Sequence, residues 1–297
     1  MYATAGFFGV LILAALVLSF RRDILTPEGA EAPETRERLR VVATFFPLYD
    51  FARAVGGEEI ELTILFTQTP EVASFAPLDV QKINRADLVI KNGLGFEPVL
   101  DELIAASDNR DVAVADTSIG IQPLGADEGV DPHIWLNPIN AAAQARAIRD
   151  ALIARDPAHA DTYTHNADAY IVQLASLDRD IENIVAGFAR RDFVAFHSAF
   201  RSFAARYGLR PVAVIEEFPG KEPSPRYITE VIKIIRETGT KAIFSEPQFS
   251  PRIVEVIARD LGLTVYALDP IETGDPAQDS YLSLMRRNLE TLKTALQ

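Results

Sequence analysis

The sequence predicts an α/β protein of two lobes with mostly parallel sheets, joined by one long helix. Two observations indicate this fold. In both halves of the 297-residue chain, runs of β-branched and other apolar residues alternate with helical stretches, which is typical of βαβ units. Between the halves, apolar residues recur at helical spacing without a break, which indicates a single helix. We therefore divide the chain at this helix.

The first lobe is predicted to span residues 39–156. Its strands alternate with helices along the chain, as expected for a mostly parallel sheet. The predicted strands are Leu39–Phe45, Glu61–Phe66, Leu88–Lys91 and Val112–Ala115, and the predicted helices are Pro47–Val55, Asp79–Asn84 and Val99–Ala106.

The second lobe is predicted to span residues 190–297 and repeats the same alternation. The predicted strands are Phe193–Phe196, Pro211–Ile215, Lys241–Ser245 and Thr264–Leu268, and the predicted helices are Ala199–Tyr207, Arg226–Thr238, Pro251–Leu261 and Ser280–Leu296.

The segment between the lobes, residues 157–189, is predicted to be one continuous helix from about Ala158 to Ala189. Pro157 suits its first turn. At 1.5 Å per residue the helix would be roughly 48 Å long and could run along both lobes. Its apolar stripe is predicted to be core, and consists of Tyr163, Tyr170, Leu174, Leu177, Ile181, Ile184 and Phe188.

The first 22 residues are predicted to be a signal peptide or an uncleaved signal anchor. The run Ala5–Phe20 is uncharged and mostly apolar, and its length lies between that of a signal core and that of a spanning helix. Arg21 and Arg22 follow it, which opposes export by the positive-inside rule. We nevertheless expect export, followed by an acidic, proline-containing tether at residues 23–38.

Charge and composition exclude several classes of protein. The formal net charge is −13, whereas nucleic-acid binding needs a basic face. Cysteine is absent, which excludes disulfides, thiolate metal sites and the lipid-bearing cysteine of a lipoprotein from the sequence as given.

Two of the four histidines stand where a metal site could be built. His133 lies in a proline-stiffened loop, and His197 directly ends the apolar run Phe193–Phe196. Asp269 follows the predicted strand Thr264–Leu268 in the same way. Ligands of open α/β sheets bind beyond the carboxyl ends of strands, and two imidazoles with one carboxylate suit Zn²⁺, Mn²⁺ or Fe²⁺.

Taken together, the motifs of residues 40–296 resemble the zinc and manganese solute-binding proteins of ABC importers (ZnuA/TroA-like family). Each motif is weak alone, but their order and spacing are specific. The matching segments are Val41–Asp50, Ala86–Pro98, Asp131–Pro138, Phe196–Phe200, Arg206–Leu209, Glu222–Pro225, Glu246–Ser250 and Tyr281–Met285.

The resemblance implies two (βα)₄ lobes joined by a backbone helix, with the metal held between the lobes. It implies that His133, His197 and Asp269 are metal ligands, and that the protein is not an enzyme. It also implies an extracytoplasmic receptor that delivers Zn²⁺ or Mn²⁺ to an ABC permease in the membrane. We expect this receptor to be a monomer, tethered by the uncleaved N-terminal segment. The ligand set does not decide between zinc and manganese, because zinc favours nitrogen and manganese tolerates more oxygen.

The chain departs from the family at the first-lobe histidine, whose position corresponds to Ala73. We expect the fourth position to be filled by water or by Glu71 from the same loop, or to be left empty. If the loop keeps the family geometry, Ala73→His should add a nitrogen ligand and tighten Zn²⁺ binding.

Three further carboxylates are candidates for orienting the ligands. Glu246 ends the predicted strand Lys241–Ser245 and could accept a hydrogen bond from a ligating imidazole or orient the loop at Pro247. Asp131 could cap a helix or support His133. Glu222 could hold its proline-rich loop against the site or be an exposed acid.

Two other functions remain open from the sequence. An open His/His/Asp site resembles those of hydrolytic zinc enzymes and non-haem iron oxygenases, so a metalloenzyme is one alternative. The other is a degenerate family member that has lost metal transport and acts as an adhesin or accessory binding protein.

Overall fold

Two four-stranded parallel sheets form the framework of the computed structural model, which describes residues 38–125, 129–217 and 219–297. Residues 38–297 form one compact unit. The predicted signal segment and almost all of the predicted tether lie outside the described residues. Within the described part, no helix is both long enough and apolar enough to cross a membrane.

The first sheet has the strand order β2-β1-β3-β4, with every pair parallel. Its strands are short and β3 is almost wholly buried, as expected for a sheet covered on both faces. The elements of this lobe are β1 (Leu39–Ala43), α1 (Phe46–Gly56), β2 (Ile60–Ile64), α2 (Pro77–Arg85), β3 (Leu88–Lys91), α3 (Leu100–Ala106), β4 (Ala113–Asp116) and α4 (Pro138–Arg155).

The second sheet repeats this order as β6-β5-β7-β8, again entirely parallel. Its strands and helices alternate as predicted. The elements are β5 (Asp192–Ala195), α6 (Arg201–Tyr207), β6 (Arg210–Val214), α7 (Pro225–Thr238), β7 (Ala242–Ser245), α8 (Arg252–Leu261), β8 (Thr264–Ala267) and α9 (Tyr281–Leu296).

The helix that joins the lobes is α5 (Ala160–Ala186), 27 residues long and preceded by a 3₁₀ turn at Pro157–His159. It packs against α1, α4 and α9. The two-lobed α/β fold with a long linking helix is therefore confirmed. Of the predicted stripe, all residues are buried except Ile184, which packs against the same core at partial exposure.

Helix α4 was not predicted. Its apolar residues are mostly alanines spread around the helix, so the sequence shows no clear apolar face. The local start signal is nevertheless present: the Asn137 side chain accepts a hydrogen bond from the Ile139 amide at 3.0 Å, and Pro138 occupies the first turn. Asparagine at the cap and proline just inside it are favoured at helix starts.

The two lobes are tied together by buried hydrogen bonds at the start of α9. The Tyr281 amide donates to Asp50 of α1 at 2.8 Å, and the Tyr281 hydroxyl donates to the Trp135 carbonyl at 2.6 Å. All three side chains are buried. Because unmaking buried hydrogen bonds is costly, these contacts hold the second lobe's last helix against the first lobe.

Truncation of the α5 stripe should destabilise the whole unit. Leu174 is fully buried, so Leu174→Ala should lower the free energy of unfolding by about 2–5 kcal/mol. Val172 on the same helix is 66% exposed, so the matched control Val172→Ala should stay within about 0.5 kcal/mol of the parent. Urea unfolding of the metal-free protein measures both, and equal effects would contradict the assignment of the buried face.

Candidate metal centre

Four side chains converge between the two sheets: Glu71, His133, His197 and Glu272. One donor atom from each lies within 4.8 Å of all the others. The two Nε2 atoms are 3.2 Å apart. The Glu272 Oε1 lies 3.4 Å from the His197 Nε2 and 3.7 Å from the His133 Nε2, and the Glu71 Oε2 lies 3.5 Å from the His133 Nε2.

Glu71 reaches the cluster from a 3₁₀ turn, Pro70–Val72, in the loop that follows β2. Its side chain keeps 21% of its surface exposed, which makes it the most accessible of the four. Ala73, two residues later, is 7% exposed and lies in an apolar cluster beneath the first sheet. The loop therefore brings the Glu71 carboxylate, and not the Ala73 side chain, to the cluster.

His133 is oriented by its own loop. The Asp131 carboxylate accepts from the His133 backbone amide and from the ring Nδ1, both at 3.0 Å, which leaves Nε2 facing the cluster. The Asn92 amide donates to the Pro132 carbonyl at 2.8 Å and so fixes the preceding residue. A carboxylate on the second ring nitrogen is the usual partner of a metal-ligating histidine.

Asp131 also connects the two lobes. Its second oxygen, Oδ2, accepts from the Ser202 amide at 3.0 Å and from the Ser202 hydroxyl at 2.6 Å, in the first turn of α6. The carboxylate is almost fully buried. It therefore fixes the His133 ring relative to the second lobe as well as within its own loop.

His197 is held in the same way by Glu246. The residue follows β5, and Glu246 follows the neighbouring strand β7, so the two meet at the carboxyl edge of the sheet. The His197 Nδ1 lies 2.7 Å from both carboxylate oxygens, and Gln248 donates to Oε2 at 3.3 Å. Its Nε2 is left facing the cluster, as in His133.

Glu272, and not Asp269, supplies the second lobe's carboxylate to the cluster. Asp269 turns away: its carboxylate accepts from the Ile271 amide at 2.7 Å, and its backbone is bracketed by two hydrogen bonds with Asn288. Ile271 has a φ of 61°, a left-handed conformation rare for a β-branched residue. This turn brings Glu272, which is 1% exposed, into the site.

The buried carboxylates have oxygens without hydrogen-bond partners. Glu71 Oε2 and both oxygens of Glu272 are inaccessible to solvent and accept no hydrogen bond among the described residues. An unsatisfied buried charge is costly. The oxygens face the two Nε2 atoms, so a divalent cation at this point would receive two nitrogens and at least two carboxylate oxygens, a set that suits Zn²⁺, Mn²⁺ or Fe²⁺.

The electrostatics of the cluster favour protonated histidines when no metal is bound. Burial lowers the pKa of His133, but the neighbouring carboxylates of Asp131 and Glu71 outweigh burial and raise the pKa to about 9. For His197, burial is likewise outweighed by the charge and hydrogen bond of Glu246, which hold the pKa well above 6.5. Burial raises the pKa of Glu272, but the neighbouring imidazoles outweigh it and lower the pKa.

The three carboxylates that the sequence suggested for orienting the ligands differ in their distance from the imidazoles. Asp131 and Glu246 lie where they can orient imidazoles, whereas Glu222 is exposed in its loop. Glu272 was missed because it lies five residues beyond the end of β8, past the strand terminus where ligands were sought. A weak local signal was present: Glu272 directly follows the apolar residues Pro270 and Ile271.

This architecture is shared with known binding proteins. Two parallel sheets about one long helix, with four donor side chains buried between them, define a two-lobed α/β binding protein. The chain belongs to the family described as zinc-uptake complex component A, periplasmic, which it matches over residues 41–295.

Two relatives match most of the chain. The manganese-binding lipoprotein MntA of Halalkalibacterium halodurans is 29% identical over 276 residues, covering 91% of this chain and 92% of MntA. The zinc-binding lipoprotein AdcA of Streptococcus pneumoniae is 28% identical over 304 residues, covering 95% of this chain but 60% of AdcA.

Solved structures agree with the fold. FpvC of Pseudomonas aeruginosa in complex with Mn²⁺ has a TM-score of 0.81 at 31% identity, covering 88% of this chain and 99% of FpvC. The Zn(II)-bound ZnuA-like domain of Streptococcus pneumoniae AdcA has a TM-score of 0.76 at 29% identity, covering 87% of this chain and 99% of that domain.

Metal binding should release protons. A ligating imidazole must be neutral, whereas the raised pKa values of His133 and His197 favour the protonated form at pH 7. The two Nε2 atoms are 3.2 Å apart, so only one proton can lie between them. We therefore expect at least one proton released per metal at pH 7, with fewer as the pH rises through about 9. Calorimetry in buffers of different ionisation enthalpy measures this number, and no release at pH 7 would contradict the protonated metal-free site.

Proposed function

We propose that this chain is an extracytoplasmic receptor that captures Zn²⁺ or Mn²⁺ and delivers it to an ABC importer permease. The observation that supports it most directly is the convergence of four metal-donor side chains on one point, with carboxylate oxygens that accept no hydrogen bond among the described residues. Family membership supplies the uptake role. The ligand set that we propose is Glu71, His133, His197 and Glu272.

The chain is a binding protein and not an enzyme, in line with its family. Asp131 and Glu246, the carboxylates next to the imidazoles, are both engaged in orienting them, so neither is available as a general base. A degenerate member that has lost its metal is disfavoured because the donors still converge.

We propose an attachment to the membrane that differs from that of the named relatives. MntA and AdcA are lipoproteins, whereas this sequence has no cysteine to carry a lipid. The apolar run Ala5–Phe20 is our candidate for a signal peptide or signal anchor. We further propose that the receptor acts as a monomer, with one metal ion between its lobes.

Metal should bind with high affinity and stabilise the fold. Because selective binding to the folded state stabilises it, by about 2.7 kcal/mol at 100 times Kd, Zn²⁺ or Mn²⁺ should raise the melting temperature. His197→Ala and Glu272→Gln should weaken binding by at least 10- to 100-fold, the effect typical of losing even an indirect partner. Calorimetry and thermal unfolding check both.

The matched control is His165→Ala, which removes an exposed histidine on α5. It should leave affinity and melting temperature unchanged. If the parent binds neither metal at micromolar concentration, the receptor function is refuted. If it binds but His197→Ala and Glu272→Gln bind equally well, the ligand set is refuted.

The balance of two nitrogens and two carboxylates should admit Mn²⁺ as well as Zn²⁺. Neither Glu272 oxygen accepts a hydrogen bond among the described residues, so this carboxylate can offer two oxygens, which suits manganese, whereas imidazole suits zinc. Glu71→His at the accessible edge of the site should therefore favour zinc, raising the Zn²⁺/Mn²⁺ affinity ratio by about tenfold, or 1.4 kcal/mol.

Competition titrations with both metals measure this ratio. The control is Ala73→His, the substitution suggested by the sequence. Ala73 lies in an apolar cluster, so its imidazole should lower the free energy of unfolding without raising the affinity for either metal. If Ala73→His raised the affinity for Zn²⁺ and Glu71→His did not, residue 73 and not residue 71 would be the one that faces the metal.

A further inference from the structure

The segment that carries Glu272 is bound to the first lobe, although it belongs to the second by sequence. We define the strap as residues 268–280, between β8 and α9. Trp135 donates its indole N–H to the Pro270 carbonyl at 2.8 Å. Arg53 donates to the carbonyls of Pro276 at 2.5 Å and Asp279 at 3.1 Å. Both ends of the strap are therefore held by side chains of the first lobe.

At the middle of the strap, Gly274 packs against the ring of Phe46. A Cβ added at Gly274 would lie 2.8 Å from three atoms of that ring, closer than atoms in folded proteins approach. Phe46 is fully buried at the start of α1 and belongs to the main hydrophobic core. At Gly274 the strap therefore approaches the Phe46 ring so closely that only a residue without a side chain fits.

We propose that Gly274 is a positioning residue for the metal site. Its close contact with Phe46 sets how far Glu272, two residues earlier, reaches toward His133 and His197. The strap thus acts as part of the first lobe, and His197 is the one candidate ligand carried by the second lobe's own sheet. This inference deepens the proposed metal-binding function and rests on it.

A substitution at Gly274 should act through distance and not through backbone strain. Gly274 does not adopt the left-handed conformation that would itself exclude other residues. An added methyl group must push the strap away from Phe46. Because metal–ligand distances tolerate only about 0.2 Å, even a small displacement of Glu272 should weaken binding.

The test uses the full-length protein and titrates Mn²⁺ and Zn²⁺ separately. Gly274→Ala should weaken binding by about 10- to 100-fold, as expected for loss of a residue that orients a ligand. The double variant Gly274→Ala/Phe46→Leu, which makes room for the methyl group, should recover most of that affinity. The single variant Phe46→Leu shows how much the smaller side chain at position 46 changes metal affinity by itself.

Gly187→Ala is the matched glycine control. Its nearest atom to an added Cβ is 3.5 Å away, it has no left-handed backbone, and it lies at the end of α5. This variant should bind both metals as the parent does. Melting temperatures without metal show whether a loss of affinity in any variant reflects unfolding.

A second variant keeps the proposal testable if Gly274→Ala folds poorly. Arg53→Lys removes the forked guanidinium that donates to the strap while keeping a positive charge beside Asp50, and Arg53 is partly exposed, so the fold should tolerate it. It should weaken binding severalfold. If both variants bind like a metal-binding parent, or if Phe46→Leu restores nothing, the inference fails while the receptor function stands. A parent that binds neither metal refutes the receptor function first.

Discussion

The burial of carboxylates beside imidazoles at one point is the constraint on which the site depends. Glu272 has almost no exposed surface, and among the described residues neither of its oxygens accepts a hydrogen bond. A buried charge is tolerated only when it is paired or coordinates a metal. Positive charge on the two histidines pairs with this carboxylate when no metal is present, and a bound divalent cation would replace that charge. Asp131 and Glu246 complete the arrangement by holding each ring with Nε2 directed inward.

Patterns repeated along the chain made the fold predictable, and the parts that were missed lack such patterns. The strands and α5 are marked by runs and periods of apolar residues, and His197 by its place at a strand end. Helix α4 has no apolar face, so its alanines gave no signal. Glu272 depends on a left-handed turn at Ile271, a conformation that sequence does not suggest for isoleucine. Asp269, the obvious acid at the strand end, supports that turn instead.

The lobes are joined by more than the linking helix. Asp131 bridges the His133 loop to α6, and Tyr281 joins the start of α9 to Asp50 and Trp135 of the first lobe. The first of these contacts starts from a loop that precedes α5 in the chain, and the second from the start of the last helix, α9. A metal ion therefore meets donors whose spacing is largely fixed in advance, which reduces the ordering that binding must otherwise impose.

Ile271 has a consequence for how this protein could evolve. A left-handed conformation costs a residue of this kind on the order of 1–3 kcal/mol, and glycine would adopt it freely. Glycine would also remove a fully buried apolar side chain that fixes the turn. A substitution at this position would therefore exchange backbone strain for a cavity. The turn that carries Glu272 is for that reason not easily changed by a single replacement at Ile271.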